Sequence, residues 1–259
     1  MNTSQLAEKI LHAHHVLVLS GAGISSESGL PTFRGTDGYW TLGSRNYHPM
    51  ELATSSAFSK DPELVWKWYH YRRNVYSQAI PNEGHKAIAQ LEKYFDSNED
   101  KYFNLITQNV DGLHLVAGSS EDCTFQIHGN IFYMRCTKEC STKIYPIKTS
   151  LGVPSCPKCG EIARPHVLWF DEFYNEGYYK YQSSLNLSKA VDVLLIVGTS
   201  VQTNLPYQII LHCLARKILI IDVNPQPIGL SQYGVIEIKG KSGEILPELI
   251  REIQKIVET

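Results

Sequence analysis

The 259-residue chain has no apolar run approaching the ~18 residues of a membrane-spanning helix, so a helical membrane protein is excluded. Its opening stretch, MNTSQLAEKILHAHH, lacks the basic start and apolar core of a secretory signal, and cytoplasmic residence is the expectation. There is no internal repeat and no low-complexity segment, which excludes repeat architectures. An excess of charge is also missing. The 24 Lys and Arg against 26 Asp and Glu leave a net charge of −2, which argues against nucleic acid or an anionic membrane as partner. The six cysteines do not form a disulfide-type framework, because four of them crowd between 136 and 159. What the chain does have is 43% hydrophobic residues, enough for one large domain or a large and a small one.

The most informative stretch is VLVLSGAGISSESGLPTFRG, residues 16–35. Val16 to Leu19 is an apolar run of the buried parallel-strand type. Gly21 and Gly23 then let the backbone turn sharply and approach a ligand, and a polar, helix-compatible segment follows. A strand, a small-residue turn and a helix start make an anion site, where a dinucleotide pyrophosphate fits. The third glycine of the usual fingerprint is absent, Ser26 standing in its place. Taken alone, Gly21-x-Gly23 is equally compatible with an ordinary strand-to-helix turn.

The fifteen residues from Gly21 to Gly35, GAGISSESGLPTFRG, resemble the cofactor-loop signature of the sirtuins, the NAD-dependent protein-lysine deacylases. Later motifs follow in that family's order, so that the resemblance covers about residues 16–243. It implies NAD as co-substrate and contacts to it from Gly21, Ala22, Gly23, Phe33, Arg34 and Trp40. The aromatic of Phe33 would cover the nicotinamide end and Arg34 would lie near the phosphates; without the resemblance, Phe33 reads as loop packing.

The remaining chain alternates strands and helices. Helices are predicted over 4–14, 49–80 with a start at Asp61-Pro62, 83–95, 176–189, 206–215 and 243–257. Strands are predicted at 102–107, 124–127, 191–197, 217–223 and 233–238, and residues 166–170 are extended. Residues 31–48 carry too many Gly and Pro for one regular element and read as a flap over the cofactor. The fold class is therefore α/β, a Rossmann-like doubly wound parallel sheet with a small zinc-binding module and a helical insert. Residues 1–35, 81–130 and 166–259 would make the NAD-binding domain, 36–80 the flap and helical insert, and 131–165 the zinc-binding module.

Cys136-x3-Cys140 and Cys156-x2-Cys159 are two close pairs of thiols with the spacing of tetrahedral zinc, the first pair one residue wider than is usual in the family. A redox pair at Cys156 and Cys159 is the competing reading, but no thioredoxin-like unit surrounds it. No histidine or carboxylate provides an open coordination position, so the zinc would be structural.

His128, in His-Gly-Asn after a strand, resembles the family's catalytic histidine, which takes a proton from a ribose hydroxyl. Asn109 and Asp111, with Val110 between them, resemble residues that hold the nicotinamide carboxamide and position a water, and Gln108 resembles a ribose contact; Asp111-Gly112 is also simply turn-forming. Gly198, Thr199, Ser200 and Asn224 look like adenosine-side contacts, with Lys241 and Ser242 near the adenine. The segment Arg164 to Glu172, including Val167, resembles the strand that pairs with a substrate peptide, with Asp171 where the family usually has Gly. Tyr69 and Arg72 share a helix face and could clamp a carboxylate, and Ala53 would leave room for the acyl chain. Spacing does not choose between Arg72 and Arg73; the resemblance, to the branch that removes succinyl and malonyl groups, chooses Arg72. The bland alternative is a solvated basic helix face. The expected partners are acyl-lysine proteins or peptides, met by a monomer. An NAD hydrolase or ADP-ribosyltransferase using the same site is the alternative.

Overall fold

The computed structural model describes residues 2–31, 40–42, 45–149 and 151–258. Helix α1 (Thr3–His12) leads into strand β1 (His15–Ser20) and the short helix α2 (Ala22–Ser26). Next come β2 (Trp40–Leu42) and β3 (Arg45–Tyr47), an antiparallel hairpin within the stretch expected to be irregular. The helical insert is three helices, α3 (Pro49–Leu52), α4 (Ser55–Lys60) and α5 (Pro62–Tyr76), where one region had been predicted. The breaks are at caps. The Thr54 hydroxyl accepts the Ala57 N–H at 3.0 Å, and Asp61 accepts the Leu64 N–H at 2.9 Å with Pro62 in the first turn. There follow α6 (Glu83–Asp96), β4 (Tyr102–Thr107), α7 (Leu113–Ala117), β5 (Thr124–Gln126), β6 (Gly129–Cys136), β7 (Tyr145–Pro146) and β8 (Ala163–Val167). The predicted helix over 176–189 is two, α8 (Glu176–Tyr179) and α9 (Tyr181–Ser188), because Lys180 adopts a left-handed φ of 52° and stops the helical path. The chain closes with β9 (Val193–Val197), α10 (Asn204–Ala215), β10 (Leu219–Asn224), β11 (Ile236–Lys239) and α11 (Ser242–Val257).

Six strands form one sheet in the order β5-β4-β1-β9-β10-β11, all pairs parallel. Counted by their appearance in the chain, this order is 3-2-1-4-5-6, the Rossmann arrangement. The strands are apolar at successive positions because both faces are covered. Val16 and Val18 pack under α1, α6 and α11, while Leu17 and Leu19 pack under α9 and α10, and all four are fully buried. On α6 the inward positions are His85, Ile88 and Leu91, as its 3–4 spacing requires.

A second core joins the helical insert to a three-stranded antiparallel sheet, order β7-β6-β8, spanning residues 129–167. Trp66, Trp68, Tyr69 and Tyr76 of α5 are buried in it, whereas Tyr71 is exposed. Among the described residues no helix is long and apolar enough to cross a membrane.

Candidate active site

The order of the large sheet reverses between β1 and β9, and a crevice at the C-terminal ends of these strands is where open parallel sheets receive ligands. The glycines of the 21–23 turn sit at this point. The Gly21 N–H donates to the Val197 carbonyl at 3.0 Å, and the Gly23 N–H to the Gly198 carbonyl at 2.7 Å. A Cβ on Gly21 would stand 2.6 Å from the Thr199 Cβ, and one on Gly23 2.7 Å from the Gly198 carbonyl oxygen. Both glycines are thus required by the close approach of two strand-end loops, in addition to any need for ligand access. Ala22 is half-buried beside them.

The end of β4 contributes Gln108 to Asp111. Gln108 donates through Nε2 to the Thr199 hydroxyl at 2.7 Å and accepts at Oε1 from Thr203 at 3.2 Å, tying β4 to the loop after β9. Asn109 and Asp111 are buried, and both bond to the Ser25 hydroxyl, at 3.0 and 2.8 Å. Burial pushes the Asp111 carboxyl up, and its bonds from the Leu113 N–H and Ser25 oppose that shift. Val110 is buried, its carbonyl accepting from Ile131 at 2.9 Å. Further along the sheet, Asn224 is buried against the Thr199 carbonyl and the Asp222 carboxylate, and Ser200 is exposed. Ser242, predicted near the adenine, donates to the Glu27 carboxylate at 2.9 Å; Glu27 also accepts the Gly243 N–H and so caps α11. Phe33 and Arg34 lie outside the described residues, and Trp40 is described only as part of strand β2.

His128 stands between the two sheets. Its Nδ1 is 2.9 Å from the Gln108 carbonyl and its Nε2 is 2.7 Å from the Tyr174 hydroxyl. A carbonyl oxygen only accepts, so Nδ1 carries the proton and Nε2 is left with the lone pair, a tautomer assigned from the network. Burial pushes the imidazole down to about 4. Neutral and with a fixed tautomer, the ring can act as a base at Nε2. Gly129 follows with φ of 82°, and a Cβ there would collide with the His166 carbonyl. This contact, and the Leu168 N–H donating to the His128 carbonyl at 2.9 Å, set the histidine against the chain leaving β8.

β8 pairs only with β6 among the described residues, and the carbonyl of buried Val167 accepts from the Arg164 guanidinium at 3.1 Å. Beyond it, the Phe170 N–H donates to the Ala53 carbonyl at 3.0 Å, and the Asp171 carboxylate accepts from Ser55 at 2.7 Å and Ser56 at 3.1 Å. The acidic residue at 171 therefore caps α4 from 116 positions away in sequence, and it has no positive φ that would demand glycine. Arg164 is turned inward, paired with Glu172 and stacked on Trp169 with its guanidinium 3.4 Å from the ring centroid.

Tyr69 and Arg72 are both 1% exposed, which removes the solvated-face alternative for Arg72. Arg73 instead turns away, to His70 and the Thr149 carbonyl. The Arg72 guanidinium lies 4.6 Å from the Trp68 ring centroid and donates to the Tyr76 hydroxyl at 2.7 Å. The Tyr69 hydroxyl accepts from Trp169 at 2.9 Å, and burial pushes this phenol up to about 12, so it keeps its proton to donate.

A family model described as the Sir2 family matches residues 21–204. The chain belongs to the Sir2 family. Among its relatives, an "NAD-dependent protein deacylase" of Leptospira interrogans serogroup Icterohaemorrhagiae serovar Lai is 43% identical over 241 residues, covering 92% of each chain. The "NAD-dependent protein deacylase 1" of Caldanaerobacter subterraneus subsp. tengcongensis is 40% identical over 253 residues, 94% of this chain and 99% of that one. A crystal structure of a Sir2 homologue in complex with NAD superposes with a TM-score of 0.84 at 36% identity, covering 98% of this chain and 94% of the other.

The donors at the crevice of this Sir2 chain fit NAD. They are amides and hydroxyls around one buried carboxyl, suited to ribose hydroxyls and a carboxamide. The four predicted cysteines also converge, with all Sγ atoms within 4.8 Å of one another. The Cys136–Cys159 and Cys140–Cys156 separations are 3.5 and 3.7 Å. A tetrahedron of thiolates around zinc has edges of about 3.8 Å, so the set fits a zinc ion. Glu139 takes a φ of 47°, and this turn absorbs the extra residue between Cys136 and Cys140.

Four residues of the site went unrecognised in the sequence. Ser25 lies inside the quoted motif but reads there as one serine among several; only the fold shows that it joins Asn109 to Asp111. Tyr76 belongs to no recognised motif, and its hydroxyl holds Arg72. Thr203 and Tyr174 belong to no recognised motif, and both reach the Gln108–His128 pair.

Proposed function

We propose that this Sir2-family chain is an NAD-dependent protein-lysine deacylase that removes acidic acyl groups, succinyl and malonyl, and also acetyl. The observation that carries the base assignment is the Nδ1–H of His128 on the Gln108 carbonyl, which leaves Nε2 to take up a proton. NAD, when bound, supplies an electrophilic ribose carbon and an acidic ribose hydroxyl. Asn109 and Asp111, cross-linked by Ser25, orient the carboxamide end, and the loop from Gly21 to Gly23 with Thr199 receives the phosphates and adenosine. The acyl-lysine peptide lies beside β8 at Val167, on the side that β6 does not pair, which aims the acyl group toward Ala53 and α5. Cys136, Cys140, Cys156 and Cys159 would hold a zinc ion that ties the end of β6 to the chain entering β8, a structural role that would leave no position for substrate.

The acidic preference rests on the burial of Arg72 beside Tyr69. A guanidinium and a neutral phenol in an aromatic setting supply three or more donors to a carboxylate, which binds weakly where such donors are missing. The test is turnover of one peptide carrying either succinyl-lysine or acetyl-lysine, with wild type and Arg72→Met. The proposal expects at least a tenfold succinyl advantage, ~1.4 kcal/mol, that Arg72→Met abolishes while acetyl turnover persists. An acetyl preference unchanged by Arg72→Met would make the chain a plain deacetylase. Nicotinamide release without turnover of either peptide would replace the deacylase by an NAD hydrolase or ADP-ribosyltransferase.

A further inference from the structure

The outward nitrogen of His128 is already engaged. The Tyr174 hydroxyl is 2.7 Å from Nε2, and the two rings stack with centroids 5.7 Å apart and planes at 30°. Because Nδ1 holds its hydrogen toward Gln108, Nε2 accepts and the Tyr174 O–H donates. Tyr174 therefore makes the same hydrogen bond, to the same lone pair, that a substrate hydroxyl must make before His128 can take its proton. The phenol is itself held. Its ring stacks on Tyr181 at 6.1 Å, and its hydroxyl lies beside Thr203, whose own O–H is donated to Oε1 of Gln108. Tyr174 lies in the segment between Glu172 and α8, outside any helix or strand, with Phe173 exposed at 90% beside it, so no ladder of backbone bonds opposes its movement.

We propose that Tyr174 is a positioning residue for His128, holding Nε2 with its O–H in the free protein and giving up that place to the ribose hydroxyl of NAD. The proposal rests on His128 being the base. The exchange is balanced: one O–H···N bond breaks, one forms, and no proton is transferred to or from Tyr174. Burial pushes the Tyr174 phenol up to about 12, so it remains an O–H donor throughout. Burial and the Gln108 carbonyl, not a neighbouring charge, set the titration of His128, and Tyr174 is the titratable side chain bonded to it among the described residues.

Tyr174→Phe keeps the ring stack and deletes the competing hydroxyl. NAD then no longer has to displace a hydrogen bond, so KM for NAD should fall about three- to tenfold with kcat changed less than twofold. The acid limb of kcat/KM for NAD should move to higher pH, because the bond that favoured neutral imidazole is gone, whereas the limb of kcat should stay in place. Thr203→Val, which loosens the phenol without removing it, should give smaller changes of the same sign and serves if Tyr174→Phe folds poorly. A purely structural role for Tyr174 would lower kcat and leave the pH limb unmoved, which overturns the proposal. His128→Ala is measured in parallel. If it abolishes turnover while Tyr174→Phe matches wild type in KM and pH limb, the base stands and the Tyr174 assignment falls. If His128→Ala keeps full turnover, both fall.

Discussion

Asp171 offers the most direct test of how the helical insert is tied to the chain that follows β8. Its carboxylate accepts the Ser55 and Ser56 N–H groups at 2.7 and 3.1 Å, two of the donors that α4 cannot satisfy internally. Losing an N-cap costs about 0.5–2 kcal/mol, and the negative charge at the helix start adds a few tenths. The carboxylate is exposed and Thr54 caps the same helix, so the expected loss for Asp171→Ala is about 1–1.5 kcal/mol. Asp171→Asn keeps one acceptor oxygen and should lose about half as much. For a chain of this size the alanine variant should melt roughly 2–6 °C lower. Urea unfolding, followed by tryptophan fluorescence at constant zinc, measures the difference. The same variants should raise KM for the acyl peptide more than KM for NAD, because the Phe170–Ala53 bond beside the cap fixes the segment proposed to receive the peptide. An Asp171→Ala protein within 0.3 kcal/mol of wild type, with the peptide KM unchanged, would refute the reasoning.

Two further outcomes follow from the buried groups. Removing zinc with a chelator, or substituting Cys140→Ser, should abolish turnover although no cysteine touches the substrates, because β6 carries Gly129 at its start and Cys136 at its end; metal analysis should fall from one zinc per chain to well below one, and a zinc-free protein of full activity would contradict this. His85 and His166, pushed by burial down to about 4 and about 3, are neutral when folded and would be protonated near pH 6.5 when unfolded. Below pH 6.5 the unfolded chain binds more protons, so stability is fully present above that pH and declines as pH falls toward 4, at about 1.4 kcal/mol per unit for each such histidine. Equilibrium unfolding at pH 7.5, 6 and 5 should show this slope, and His85→Asn should reduce it; a flat profile would count against the buried-neutral assignment.

The legible parts of the chain are those where local pattern and tertiary role coincide. β1 and β9 were visible as apolar runs because strands covered on both faces need apolar residues at successive positions. The zinc cysteines were visible because the ligands come as two pairs close in sequence. The helix over 176–189 was misread as continuous, since a lysine at Lys180 carries no local signal for the left-handed turn that divides it. Asp171 looked like a departure from a family glycine, because the helix it caps starts 116 residues earlier.

By itself the sequence determined the family, the alternation of strands and helices, the glycine turn and the two close cysteine pairs, all carried by residue type and short spacing. The tertiary structure alone decided which nitrogen of His128 carries the hydrogen and which accepts, which of Arg72 and Arg73 faces inward, and why Gly21 and Gly23 can bear no side chain. Those depend on partners far away in the chain, Gln108 and Tyr174 for the histidine, the α5 aromatics for the arginine and the β9 loop for the glycines. A hydrogen bond or a steric contact is a relation between two atoms, and only the fold brings the second atom within reach.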